Sequence, residues 1–383
     1  MDIYTKLAKF LDGLPGGFPS TDTGVEIRIL KKLFTPEEAE LAMELSLLPE
    51  VSGVIAKRAK KNEKDTAALL EKMAQKGLVY RIEKKGRPSL YMATQYVIGI
   101  WEYHVNDLSP DLIRDMEEYI PTLFNVDTWK KAPQLRTIPV GRSIPVELDV
   151  MPYEKAEELV RTHNKFLVAP CICRKEKTMI GEGCQKPEES CLVLGGATDY
   201  YFKNGLGRKI DEEEALEILR KADKSGLVLQ PSNSQKIVNI CCCCGCCCAV
   251  LRTVKNHPKP AELVSSAFMV EYDSNSCINC QVCVDRCQMD AITILEDSIK
   301  HDFDRCIGCG LCVSTCPSEA VTLVRKQKSA QPHVPKTFME ANIRLLRVRK
   351  KLDPRQMARI LSGLRSKKRK PGREDGSQRA QGS

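Results

Sequence analysis

Between residues 26 and 95 the apolar positions recur first with a helical period and then with a strand period. Thr35 precedes PEEAELAMELSLL, with Glu38 three residues on, which predicts a helix opened by a capping box. A second helix is expected near Val51–Lys61, and a third over EKDTAALLEKMAQK, closing at Gly77 in the usual C-cap position. LVYRIE then alternates as a strand, KKGRP turns the chain, and SLYMA returns. Residues 96–130 read as acidic helix (WEYHVNDLSPDLIRDMEEYI). From 131 to about 270 short strands (LRTIPV, KFLVAP, GLVLQ) alternate with helical pieces (PYEKAEELVRTH, DEEEALEILRKADKSG), which suggests an α/β or α+β layer. Two short basic helices are expected from about 335 onward. The second starts at Asp353-Pro354 with Met357, Ile360, Leu361 and Leu364 on one face, and 366–383 reads as disordered.

Three helices followed by a two-stranded wing is the order of a winged helix-turn-helix, and residues 26–95 resemble that family. Residues 51–90 carry 11 basic against 4 acidic side chains, which suits DNA phosphate. Glu63 and Asp65, however, open the helix that would enter the groove and place carboxylates where base and phosphate contacts belong. Lys84, Lys85 and Arg87 at the wing tip are as readily a solvated turn. Protein docking or a structural role is therefore favoured over DNA binding.

Charge and composition sharpen this. The chain opens MDIYTKLAKFLDG with no apolar leader, and no uninterrupted apolar run approaches the roughly 20 residues of a membrane span, so a cytoplasmic protein is expected. The net charge of +9 is uneven: residues 325–373 hold 17 Lys and Arg against 2 Asp and Glu, leaving 42 against 48 elsewhere. The body is mildly acidic and the basicity is a tail. Such a tail is expected to attract an acidic partner, and its apolar stripe points to a protein groove rather than to nucleic acid.

The chemistry lies in 19 cysteines, which in a reducing cytosol favour metal sites over disulfides. Residues 277–296 (CINCQVCVDRCQMDAITILE) and 306–325 (CIGCGLCVSTCPSEAVTLVR) repeat at an offset of 29, with eight of twenty positions identical. Each half is C-x2-C-x2-C-x3-C. Three thiolates at x2 spacing wrap one [4Fe–4S] cube, and the fourth ligates the other cube. Cys277, Cys280, Cys283 and Cys316 are the expected ligands of one cluster, and Cys306, Cys309, Cys312 and Cys287 of the other. The pair resembles the bacterial-type two-[4Fe–4S] ferredoxin domain. It departs from it at Gln288, where that family usually has the proline that does follow Cys316. The alternative of zinc ribbons fits two duplicated four-cysteine runs poorly.

The remaining eleven cysteines are Cys171, Cys173, Cys184, Cys191 and the seven in CCCCGCCC, residues 241–248. Neighbouring side chains diverge, so they cannot all reach one cube. Cys241, Cys244 and Cys247 repeat the x2 register, with Cys243, Cys246 and Cys248 interleaved. A further Fe–S cluster is expected, with three ligands from the run and one from the Cys171–Cys191 loop, or with the two groups sharing two clusters. Zinc, a disulfide–thiol redox centre, or a metal-free buried packing of thiols are the alternatives.

With CICRKEK (171–177), the cysteine run and both ferredoxin motifs, the chain resembles cytoplasmic iron–sulfur proteins of anaerobes. These join a helical N-terminal region, a cysteine-rich middle domain and a C-terminal dicluster ferredoxin, which implies electron transfer. The expected architecture is α+β and multidomain: a winged-helix-like domain (1–130), an α/β cysteine-rich domain (131–265), a 2[4Fe–4S] ferredoxin-like domain (266–328) and a basic, partly disordered tail (329–383). GGATDYYFKNGLG lacks the context of a nucleotide loop, and the five histidines are scattered. The expected function is single-electron relay with a redox partner protein. A redox-responsive DNA-binding regulator and a catalytic oxidoreductase subunit are the rivals.

Overall fold

A computed structural model describes residues 1–296 and 298–352. The predicted second basic helix from Asp353 and the disordered stretch 366–383 lie outside the described residues. Helices Ile3–Asp12 and Val25–Leu33 precede the capped helix Pro36–Ala42, where Thr35 accepts from the Glu38 N–H and Glu38 from the Thr35 N–H. The chain then forms β1 (Glu50–Val51), helices Ser52–Ala59 and Glu63–Gln75, β2 (Tyr80–Ile82) and β3 (Leu90–Met92). These strands make one antiparallel sheet in the order β1-β3-β2. Asn62 caps helix Glu63–Gln75, and Gly77 reverses the chain with φ +80°.

The middle region is a five-stranded sheet of β4 (Phe166–Pro170), β5 (Glu189–Leu194), β6 (Arg208–Ile210), β7 (Val228–Pro231) and β8 (Asn239–Cys243), in the order β6-β4-β5-β8-β7. Every neighbouring pair is antiparallel, so this layer is α+β and not α/β. The long helix Glu212–Lys224 leads β6 to the far edge strand β7. LRTIPV is extended, but joins the sheet only through isolated bridges such as Ile138 to Leu229.

The C-terminal region holds β9 (Phe268–Tyr272), β10 (Ile292–Ile294), β11 (Ile299–His301) and β12 (Val321–Arg325), paired as β9 with β12 and β10 with β11. Its core (Phe268, Val270, Ile292, Val321, Leu323) lies between the two cysteine motifs.

The regions are locked together by buried polar contacts. Tyr200 of helix Ala197–Lys203 donates to the carbonyls of Ala74 and Val79, beneath the N-terminal hairpin. Arg252 grips Glu117 at 2.6 Å, and Arg286, between Cys283 and Cys287, reaches Asp223 at 2.8 Å. The start of the basic tail is not free. Helix Phe338–Val348 packs back on the body, and Arg349 donates to Asp12 Oδ1 and to the carbonyls of Asp12 and Leu14. Part of the basic excess is thus spent on an internal acid. No helix among the described residues is long and apolar enough to cross a membrane.

Candidate functional site

The two C-terminal motifs wrap alike because their backbones do. In the first, Asn279 and Gln281 take φ of +55° and +64°; in the second, Gly308 and Gly310 take +66° and +73° at the matching positions. A left-handed residue after each of the first two cysteines turns successive N–H groups inward, making a concavity for a negatively charged group. Glycine takes that conformation without strain; Asn and Gln do so at some cost. Asp290 and Glu319 repeat the device after the last cysteine of each motif, at φ +51° and +54°.

One small cavity is lined by Cys277, Cys280, Cys283 and Cys316, and another by Cys306, Cys309, Cys312 and Cys287. Each therefore gathers three thiols of one motif and the last thiol of the other. Backbone donors face the sulfurs: Asn279 N–H points to Cys277 Sγ at 3.4 Å and Ala291 N–H to Cys287 Sγ at 3.2 Å. Cys306 receives the N–H groups of Gly308 and Val270. Burial still pushes Cys309 up to about 12 and lifts Cys283, Cys306 and Cys312. Ligation of these thiols releases protons. Four convergent sulfurs in each cavity fit a [4Fe–4S] cube.

The middle cysteines form two groups. In the first, β5 pairs with β8 so that Cys191 stands opposite Cys241. Strand alternation puts Cys241 and Cys243 on one face and the buried Cys242 on the other. Thiol contacts run from Cys191 to Cys241, Cys243, Cys248, Cys173 and Cys171 in turn. Cys171 and Cys248 each stand at the head of a helix, Ile172–Met179 and Ala249–Lys255. The Cys191 thiol, with others, holds Cys241 well below the usual thiol range, and the Cys173 thiol does the same for Cys248. Cys171 is lowered by the Cys173 thiol, helped by Arg174. This six-thiol group suits a thiolate-bound centre, with more donors than one cube takes.

The second group is Cys184, Cys244, Cys246 and Cys247, whose sulfurs all lie within 4.8 Å of one another. Cys184 to Cys244 is 4.0 Å and Cys246 to Cys247 is 3.7 Å. A single tetrahedral ion with metal–sulfur bonds of about 2.3 Å sets its ligands about 3.8 Å apart. A cube places each thiolate on a different iron and holds them wider. The donor set and spacing fit one ion. Buried Arg174 links the groups, donating to Cys244 Sγ at 3.5 Å and to the Cys242 carbonyl at 2.9 Å.

The structure therefore divides the predicted ligands. Cys171, Cys173, Cys191 and Cys241 fall in one group, and Cys184, Cys244 and Cys247 in the other. The x2 register of Cys241, Cys244 and Cys247 does not wrap a common centre, because β8 ends at Cys243 and the chain turns at Gly245. Sequence reasoning left Cys243, Cys246 and Cys248 out of its ligand set. The period of two in NICCC was the signal for Cys243; no local pattern points to Cys246.

Beyond the six-thiol group opens a large apolar chamber, a cavity of about 350 Å³ between the N-terminal helices, the middle sheet and helix Phe338–Val348. Glu102 lines it, and burial pushes this carboxyl up to about 8.

Residues 271–323 match the family model of the 4Fe-4S dicluster domain. Searches of curated proteins and of solved structures found no match for the chain.

Proposed function

We propose an iron–sulfur role in electron transfer for this chain, a reading supported by the match of residues 271–323 to the 4Fe-4S dicluster domain. We propose that it passes single electrons from an outer dicluster site to a centre in the six-thiol group. Cys277, Cys280, Cys283 and Cys316 hold the outer cube, and Cys306, Cys309, Cys312 and Cys287 the inner one. Cys280 and the neighbouring Ile278 are exposed, the latter by 63%, which suits docking of a redox partner protein beside the outer site. Bound clusters supply one-electron chemistry at low potential. The six-thiol group holds a further iron–sulfur centre, and Cys184, Cys244, Cys246 and Cys247 hold one structural zinc ion.

The observation that carries this reading is a junction. Gln288 lines the inner dicluster cavity and accepts a hydrogen bond at 2.8 Å from the N–H of Gly245, within the cysteine run. The chain that leaves Cys241 and Cys243 therefore touches the inner site directly. The helices and hairpin of residues 36–92 have the element order of a winged helix. We read the unit as a packing module, because Tyr200 and Asn204 cap its third helix from the middle region.

Metal and sulfide analysis with low-temperature EPR on anaerobically purified protein tests the proposal. More than about eight iron per chain, with fast-relaxing [4Fe–4S] signals beside a third distinct signal, is expected. About eight iron with no further signal overturns the additional centre, and zinc alone overturns the electron-transfer reading.

A further inference from the structure

The chamber beside the six-thiol group is too large to be only a cluster pocket. The two dicluster cavities have volumes of about 10 and 20 Å³, whereas this one has about 350 Å³. A cubane at the thiol end would leave most of it open.

Its lining specifies what it takes. Flat faces come from Tyr80, Trp101, Tyr103, Tyr201 and Phe338, and among the described residues no lysine or arginine reaches it. Glu102 is its one charged type of side chain, so phosphates and carboxylates find no counter-charge. Two acceptors in the wall lack partners. Gln95 Oε1 is unpaired although its Nε2 donates to Ile98 and Gln134, and Asn239 Oδ1 is unpaired although its Nδ2 points to Cys241 Sγ. Both residues are more than nine-tenths buried, at 8% and 7% exposure. A buried acceptor left unmet costs about 1–3 kcal/mol, and an apolar wall offers water too few further bonds to be a good substitute.

We propose that this chamber is a binding site for a small, uncharged, apolar ring compound carrying a hydrogen-bond donor, seated between the aromatic walls and the six-thiol group. The ring faces bury against the aromatic side chains, and the donor meets Asn239 or Gln95. The ligand edge then lies against the thiols, where the electron path of the proposed function ends. The site itself rests on the chamber and its unpaired acceptors, not on that reading.

The test is anaerobic titration calorimetry of the full-length protein with two probes, phenol and benzene, with iron and sulfide measured on the same sample. Phenol is expected to bind saturably at one site, and benzene about tenfold more weakly for want of the donor. Asn239→Leu and Gln95→Leu, tried separately and together, should bring phenol down to the benzene affinity. Ala197→Phe, which sets a ring into the chamber from the start of its helix, should abolish binding of both probes with the circular dichroism spectrum unchanged. Absence of saturable binding of either probe, in protein with its full iron content, overturns the site while leaving electron transfer intact. Equal affinity for phenol and benzene in the unmodified protein overturns the donor requirement. Binding that survives Ala197→Phe places the ligand elsewhere and overturns the proposal, whatever the iron content.

Discussion

The backbone N–H of Gly245 donates to Gln288 Oε1 at 2.8 Å, and a Cβ on Gly245 would stand 2.4 Å from the Gln288 carbonyl oxygen. The residue that departs from the ferredoxin pattern is thus the one that holds the cysteine run. A proline at 288 would have rigidified the turn, but has no amide to accept this bond. The glycine inside CCCCGCCC is there for close approach: any side chain would push the run off the inner dicluster site.

Gly245→Ala is expected to destabilise the protein by about 1–3 kcal/mol, the usual cost of forcing atoms into a packed contact. Gln288→Ala removes the bond from Gly245 and the longer one from Gln288 Nε2 to the Arg286 carbonyl, and is expected to cost about 1–2 kcal/mol. Both should keep their iron. After flash reduction of the dicluster sites, electron arrival in the middle region should slow in both variants, more so in Gly245→Ala. Unchanged transfer in Gly245→Ala would show that electrons do not cross this junction.

Cys287 belongs to the first motif by sequence but lines the cavity of Cys306, Cys309 and Cys312. Cys287→Ser should therefore alter the EPR signal of the inner site and leave the outer one, held by Cys277, Cys280, Cys283 and Cys316, near its normal potential. If the outer signal changes and the inner does not, the crossed assignment is wrong.

Legibility of the site in the sequence followed the locality of its causes. The dicluster domain was readable because spacing and repeat are local, and the left-handed turns of the second motif follow from Gly308 and Gly310. The capping box at Thr35 and Glu38 and the stop at Gly77 were equally local. The middle thiols were not, since their grouping depends on β5 pairing with β8. The x2 spacing of Cys241, Cys244 and Cys247 mimicked a cluster loop, but a strand period governs the first half of the run and a turn the second. The start of the tail shows the same limit: Arg349 is basic in sequence, and only the fold supplies Asp12 as its partner.

The split of the run makes a metal-specific prediction. Cys244→Ser or Cys246→Ser should lose about one zinc per chain and leave the iron content near normal, because these sulfurs stand in the tight four-thiol group. Cys241→Ser should lose iron and keep zinc, because its thiol contacts are with Cys191 and Cys243. Cys242→Ala, on the opposite face of β8, should keep both. Elemental analysis of the variants prepared without oxygen decides the matter. Iron loss in Cys244→Ser with zinc absent from the parent protein would replace the single ion by a cluster.

Glu102 gives stability a pH dependence of definite sign. Burial raises its carboxyl from 4.5 to about 8 in the folded protein. A group whose folded pKa is raised contributes fully below the unfolded pKa, and its contribution is lost as pH rises through the folded value. Stability should therefore fall between about pH 5 and pH 8, as the unfolded chain ionises freely while the buried carboxyl keeps its proton. Each tenfold difference in proton affinity between the folded and unfolded chain is worth about 1.4 kcal/mol, so the loss is on the order of a few kcal/mol. Glu102→Gln keeps an oxygen that accepts from the Gly99 N–H, which donates at 2.6 Å to the native carboxylate, and removes the titration. Urea midpoints measured anaerobically across this range should decline less steeply in Glu102→Gln than in the unmodified protein, with the two converging near pH 5. Parallel slopes would show that Glu102 ionises in the chamber without cost, and so that the chamber is open to water.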